Sequence, residues 1–163
     1  MPQINKTNYF FKIMVIQRIQ SVYLLIAVIL MVVFAFFPAL TFDFGGKEFV
    51  YGALESGKVG MTHPNSLMIT LIILTSLLAL IDIFLYKNLQ RQMTVCFVDI
   101  IISLAMLVAI AVEAFVIKGR IGINNVMPQW YLLLPVLAIV FLMMAHKAMS
   151  RDKKALRDAD RLR

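Results

Sequence analysis

The chain has 163 residues, of which 61% are hydrophobic, and its formal net charge is +7. Ordinary soluble domains are roughly 45–50% apolar, so the composition excludes a water-soluble globule and indicates a single membrane domain. In a membrane protein, excess Lys and Arg first indicate orientation and contact with anionic lipid headgroups, and no nucleic acid partner is expected.

Residues 1–13 are interpreted as an N-terminal extension. They carry Lys6, Lys12 and several aromatic residues, and Met14 opens a different segment. Two interpretations stay open: the native start is Met14, or the extension is a short segment lying on the membrane surface.

A polar collar follows, formed by Gln17, Arg18, Gln20 and Ser21. Polar residues directly before an apolar run mark a headgroup boundary. We therefore expect Gln17, Arg18 and Gln20 to contact lipid or a protein partner.

Four apolar runs predict four transmembrane helices. A hydrocarbon core of roughly 30 Å needs about 20 apolar residues in a helix, and the run from Val22 to Phe42 contains no charged residue. The expected fold is all-α, a polytopic four-transmembrane-helix bundle over residues 14–146. Its helices are predicted at about 22–42, 67–86, 94–117 and 128–146.

The longest connection separates the first two helices. Aromatic residues on both sides of Gly45-Gly46 predict a short β-hairpin in this first outer loop. The remainder, as far as Pro64, is expected to be irregular, and Asn65 or Ser66 is expected to cap the second helix. Pro128 is expected in the first turn of the fourth helix.

The distribution of Lys and Arg predicts the orientation. Twelve lie in the N-terminal segment, the turn at residues 87–93 and the tail, against four in the other two loops. The positive-inside rule then places both termini in the cytoplasm. The expected protein therefore crosses its membrane several times.

Three carboxylates, Asp82, Asp99 and Glu113, lie within the predicted helices. A charge near the bilayer centre costs about 3 kcal/mol on insertion scales. Because Asp99, Ser103 and Glu113 share one stripe of the third helix, we predict a polar seam between helices, formed by Asp82, Asp99, Ser103 and Glu113.

The role of Asp82 and Asp99 has three open interpretations. In the first, they pair near the interface with a basic side chain, which is Lys87, Arg91, Arg18 or Lys147. In the second, they face each other and share a proton, and in the third they contact a partner. Asp99 and Glu113 are 14 residues apart in the sequence, about 21 Å along a helix, so these two cannot form one site.

No metal site and no cofactor are expected. His63 and His146 fall on opposite sides of the predicted membrane, and neither has a second ligand at suitable spacing. Cys96 is interpreted as a small hydrophobic residue at the edge of an apolar run.

The tail, residues 147–163, is strongly basic and is predicted to continue as a helix. Its basic side chains are expected to lie on anionic headgroups or to dock on a cytoplasmic partner. The candidate contact residues are Arg157, Asp160, Arg161 and Arg163.

Two segments, Ile16–Leu25 and the closing Asp158–Arg163, are similar to a family of small bacterial membrane proteins catalogued as domain of unknown function 4293. The resemblance covers about residues 14–163. It implies a Gram-negative inner-membrane protein with four helices, and it implies neither an activity nor catalytic residues. The 13-residue leader departs from the family pattern.

The favoured function is a non-enzymatic structural or accessory role, engaging lipid or a protein partner. One alternative is a small transporter or proton-linked protein that uses Asp82, Asp99 and Glu113. Another is a membrane-embedded enzyme that acts on a lipid.

Overall fold

A computed structural model describes residues 6–121 and 126–161 of the chain, and the side chains of residues 19–119 and 126–158 apart from Phe44, Thr62, Lys87 and Leu156. The helices are α1 (Lys6–Ala35), α2 (Ser66–Phe84), α3 (Leu89–Ile121) and α4 (Leu133–Arg161). The strands are β1 (Pro38–Phe44), β2 (Lys47–Gly52), β3 (Ser56–Lys58), β4 (Met61–His63) and β5 (Val126–Pro128). Two short 3-10 turns, Leu85–Lys87 and Trp130–Leu132, precede α3 and α4.

Within the described residues, the helices pack side by side as a ring. α1 packs against α2 and α4, and α3 packs against the same two helices. Segments of α2, α3 and α4 are long and apolar enough to cross a membrane, and residues 19–35 of α1 form a shorter apolar helix. This is the composition of a multi-pass membrane protein.

The bundle has an apolar core that includes several polar side chains, and it exposes many large apolar ones. Among the described side chains, the buried polar ones are Gln20, Thr75, Asp82, Gln92, Asp99 and Ser103. Large apolar side chains on the same helices are exposed, among them Ile29, Leu77, Ile101 and Val140. Water would penalise those apolar faces and lipid would not, so the pattern fits helices in a bilayer.

The predicted first helix is wrong at its far end. α1 ends at Ala35, and residues 38–44 form β1. Pro38 has no N–H to continue the helical ladder and disfavours helical backbone at the residue before it. The predicted extension, 1–13, is described from Lys6 onward, where it forms the first turns of α1.

The predicted hairpin is confirmed and is part of a larger sheet. β1 pairs with β2 in an antiparallel register across Gly45-Gly46, with Phe42 opposite Phe49. Both glycines have positive φ, 61° and 74°, as a type I′ hairpin turn requires.

The sheet is completed by strands that the sequence pattern did not predict. β3 and β4 replace the expected irregular segment, and β5 joins from the connection between α3 and α4, giving the order β4-β3-β2-β1-β5. Ala39, Leu40 and Ala53 are buried with the helix core. The sheet therefore packs directly onto one end of the bundle.

Other helix boundaries also differ from the prediction. α3 begins at Leu89 and runs to Ile121, so the expected 87–93 turn is shorter. Pro128 lies in β5 and not in the fourth helix. The predicted cap is confirmed, because the Asn65 side chain accepts a hydrogen bond from the backbone N–H of Met68 at 3.3 Å. The tail is helical as far as Arg161, as expected.

Candidate functional site

Asp82 and Asp99 form the centre of the candidate site. Asp82 lies in the last turn of α2 and Asp99 lies in the third turn of α3, at the end of the bundle opposite the sheet. The short connection between these helices makes them antiparallel neighbours. Both side chains are almost completely buried, at 0% and 1% exposure, and they are close enough to interact electrostatically.

Neither carboxylate has a hydrogen-bond partner among the residues that the structure describes. The hydroxyl of Ser103, one turn further along α3, is also buried without a partner there. An ionised carboxylate held in an apolar interior without a partner costs several kcal/mol. The pair is therefore suited to holding protons.

Two neighbouring side chains on α3 complete the environment of the pair. Gln92 donates from Nε2 to the backbone carbonyl of Asp82 at 3.1 Å, which satisfies a carbonyl at the end of α2. The Cys96 thiol interacts with both carboxylates and makes a 3.4 Å hydrogen bond to the carbonyl of Leu142 on α4. The site thus touches three of the four helices.

Among the described residues, neither carboxylate is bonded to one of its expected salt-bridge partners. Arg91 and Lys147 are exposed. The side chains of Lys87 and Arg18, which were also expected as partners, lie outside the described part of the chain.

Glu113 does not belong to this site, so its predicted place in the buried seam is wrong. Its side chain is exposed, whereas Met106 and Ile110 continue the buried stripe. A repeat of 3.5 residues drifts by about 20° per heptad on a straight helix, and at this level Ala114 packs on the core instead. Glu113 lies near the sheet.

The neighbour of Glu113 at the sheet is Tyr51. Burial raises the pKa of the Tyr51 phenol, a hydrogen bond with Asn65 opposes that shift, and the Glu113 carboxylate adds to it. No local sequence pattern indicates this contact, because the strands of the sheet that carries Tyr51 pair with segments distant in sequence.

Gln20 is predicted to contact lipid headgroups or a partner, which requires an exposed side chain. In the structure its side chain is buried. It is 2% exposed and donates from Nε2 to the carboxylate of Asp152, joining α1 to α4. Of the other predicted contacts, Arg157 is exposed. The side chains of Gln17, Arg18, Asp160 and Arg161, and all of Arg163, lie outside the described residues.

Sequence reasoning missed Gln92, Cys96 and Asp152 as members of buried polar contacts. The stripe that contains Asp99 and Ser103 extends backward to Cys96 and Gln92 at spacings of 3 and 4, so the helical pattern carried the signal for those two. Nothing local pairs Gln20 with Asp152, which are 132 positions apart.

Within the described residues, no group of three or more His, Cys, Asp or Glu side chains could hold a metal ion.

Comparison with known proteins identifies a family and no closer relative. No curated protein and no solved structure matches the chain. A family model described as a domain of unknown function matches residues 16–162, which is most of the sequence. The chain therefore belongs to the family of the domain of unknown function DUF4293.

Proposed function

We propose that this chain is a non-enzymatic accessory protein of a bacterial inner membrane, which crosses the bilayer four times and presents the end of α4 to a cytoplasmic protein. The observation that carries the proposal is the length of α4, which runs without interruption from Leu133 to Arg161. The part beyond His146 is highly charged. It rises about 22 Å at 1.5 Å per residue, enough to project beyond the headgroups.

The contact between Gln20 and Asp152 supports a structural role for this projection. It fixes the base of the charged segment against α1, so the rest of the helix extends from a defined position. Lys154, Arg157 and Asp158 are exposed on it. A helix with both charge signs on its surface favours a protein partner with a complementary pattern.

The proposed topology follows from the two different ends of the bundle. The sheet covers one end, and the short α2–α3 connection and the end of α4 lie at the other. The latter end carries most of the Lys and Arg residues, which supports its cytoplasmic placement. α1 is proposed as the fourth crossing because it packs against α2 and α4.

Photo-crosslinking tests the proposed partner. A photoreactive amino acid at Arg157 is expected to capture a defined cytoplasmic protein in native membranes. The same group at Lys47, on the sheet, is the control and is expected to capture no cytoplasmic protein. Deleting residues 156–163 leaves the Gln20–Asp152 contact in place and is expected to abolish co-purification of the captured protein. Retention of that protein by the shortened chain would contradict the proposal.

A second candidate function is proton-linked transport, favoured by one observation: Asp82 and Asp99 are buried together without hydrogen-bond partners among the described residues. In this proposal the pair accepts and releases protons as the bundle changes conformation. Ser103 and Cys96 supply the adjoining polar surface.

The two candidate functions predict opposite responses to the same variants. The double variant D82N/D99N removes both titratable groups and keeps the side-chain shape. A transporter would lose proton flux into liposomes that contain the purified protein, measured with a pH-sensitive dye. An accessory protein would keep its crosslinked partner. Deletion of residues 156–163 would have the reverse effects.

A further inference from the structure

A second polar feature of the bundle lies between α1 and α4 and is unrelated to the Asp82–Asp99 pair. It is an open groove of about 500 Å³ at the end opposite the sheet. Its lining residues are Ile19, Tyr23, Met144, Lys147, Ala148, Arg151 and Asp152.

The groove combines a basic rim with an apolar wall. Lys147 and Arg151 are one helical turn apart on α4, and both are exposed, so they lie on the same face. Ile19 and Met144 are 44% and 41% exposed on the two sides. The remaining charge in the lining, Asp152, accepts a hydrogen bond from Gln20, which leaves two basic groups against one occupied acid.

We propose that this groove binds one anionic phospholipid. The phosphate lies between Lys147 and Arg151 beside Ile19, and an acyl chain runs along Tyr23 and Met144 toward the bilayer centre. Basic grooves between helices at the cytoplasmic face suit anionic headgroups, and a guanidinium matches phosphate geometry with two parallel hydrogen bonds. The apolar wall favours a lipid over a free anion, because inorganic phosphate has nothing to bury there.

The groove is held in shape from both ends. The Gln20–Asp152 contact joins the helices at one level. Deeper in the bundle, Tyr23 and Phe141 have ring centroids 6.2 Å apart. A lipid therefore meets a site whose width is already set, which reduces the ordering cost of binding.

This inference rests on the proposed topology, with the end of α4 at the cytoplasmic leaflet, and not on a protein partner. Its test uses purified full-length protein, so it fails or succeeds separately from the crosslinking experiment. If crosslinking captures no cytoplasmic protein but the groove binds lipid, only the proposed accessory function is contradicted.

Native mass spectrometry of the purified protein in mild detergent tests the site. Titration with phosphatidylglycerol is expected to show one tight adduct, and phosphatidylcholine with the same acyl chains is expected to bind much more weakly. The double variant K147Q/R151Q is expected to weaken phosphatidylglycerol binding roughly 25-fold, at about fivefold for each basic side chain near an anionic headgroup. Equal retention of the two lipids by the unmodified protein would overturn the proposal.

Two further variants separate a specific groove from general basicity. K154Q/R157Q removes the same charge from the same helix outside the groove and is expected to bind phosphatidylglycerol within twofold of the unmodified protein. A148F fills the groove with no change of charge and is expected to abolish the tight adduct. Equal losses in K154Q/R157Q and K147Q/R151Q, or full binding by A148F, would show diffuse attraction and contradict the site.

Excess inorganic phosphate distinguishes a lipid site from an anion site. It is expected to leave the phosphatidylglycerol adduct in place, because it lacks the acyl contact with Tyr23 and Met144. Displacement of the lipid by phosphate at comparable concentration would overturn the proposed ligand class.

Discussion

Asp82 and Asp99 are acidic residues in an otherwise largely apolar interior. They are buried in an apolar bundle, and within the described residues their carboxylates have no hydrogen-bond partner. Such groups are retained at a cost in stability when they serve another purpose. Their amide variants measure that cost.

The variant D82N/D99N is expected to be as stable as the unmodified protein or more stable, by up to about 3 kcal/mol, because it removes unpartnered carboxylates from an apolar interior. Thermal unfolding of the purified protein in detergent measures the change. D43N/D158N, which alters two exposed acids, is the control and is expected to stay within about 0.5 kcal/mol. A marked loss of stability confined to D82N/D99N would mean that the carboxylates have a charged partner.

Gln20 belongs to the opposite class, a buried polar group with a partner. Gln20→Ala is expected to destabilise the protein by about 1.5–3 kcal/mol, because it removes a hydrogen bond to the Asp152 carboxylate. The control is Gln90→Ala, at an exposed position of α3, expected to be nearly neutral. Equal unfolding temperatures for these two variants in detergent would show that the Gln20 contact adds no stability.

At this scale, the sequence predicts what helical periodicity and hydrophobicity determine. Asp99 and Ser103 were placed on a buried face because polar residues in a membrane helix avoid lipid. Periodicity alone also predicts that Glu113 is buried with them. It is exposed because a 3.5-residue repeat drifts around a straight helix, so the stripe has turned away from the core at that level. Gln20 was assigned to the headgroups because its partner, Asp152, is distant in sequence.

At the scale of elements, the sequence predicts the number of helices. Of the sheet, it predicts only the first hairpin, between β1 and β2. Gly45-Gly46 predicts a hairpin because few other residue pairs adopt positive φ twice. β3, β4 and β5 have three residues each, too short for an alternating pattern to show. Their pairing depends on neighbours supplied by the rest of the fold, as with β5 against β1.

Substitution of two glycines by alanine is expected to change stability in opposite directions. One glycine lies in the hairpin turn and the other lies in α3. Gly46→Ala is expected to cost about 1–2 kcal/mol, because φ is +74° there and an L-residue is strained. Gly119→Ala, near the end of α3, is expected to stabilise by about 0.5–1 kcal/mol, since alanine favours helix. A methyl group at either position meets no atom within 4 Å.

Equilibrium unfolding of the two glycine variants in mixed detergent micelles measures these effects. Because neither substitution causes a steric clash, the difference in sign isolates backbone conformation. A neutral Gly46→Ala would show that the hairpin turn is not held in its positive-φ geometry.

For the whole molecule, the distribution of polar and apolar side chains identifies the membrane class. The helix ring has buried polar side chains and exposed apolar ones, and the sheet covers one end with Leu40 and Ala53 in contact with the core. Composition alone predicts the membrane class. The closing of the bundle by the sheet depends on contacts between distant segments.

The most direct test of the four-crossing topology is labelling of single cysteines by a membrane-impermeant maleimide in spheroplasts, with Cys96→Ala as background and a protease-cleavable tag at the N-terminus. Cysteines at Lys47 and Lys118 are expected to react in intact spheroplasts. Cysteines at Asn88 and Lys154, and cleavage of the tag, are expected to require permeabilisation. Reaction of all four positions from the same side, or cleavage of the tag from outside, would contradict the proposed topology.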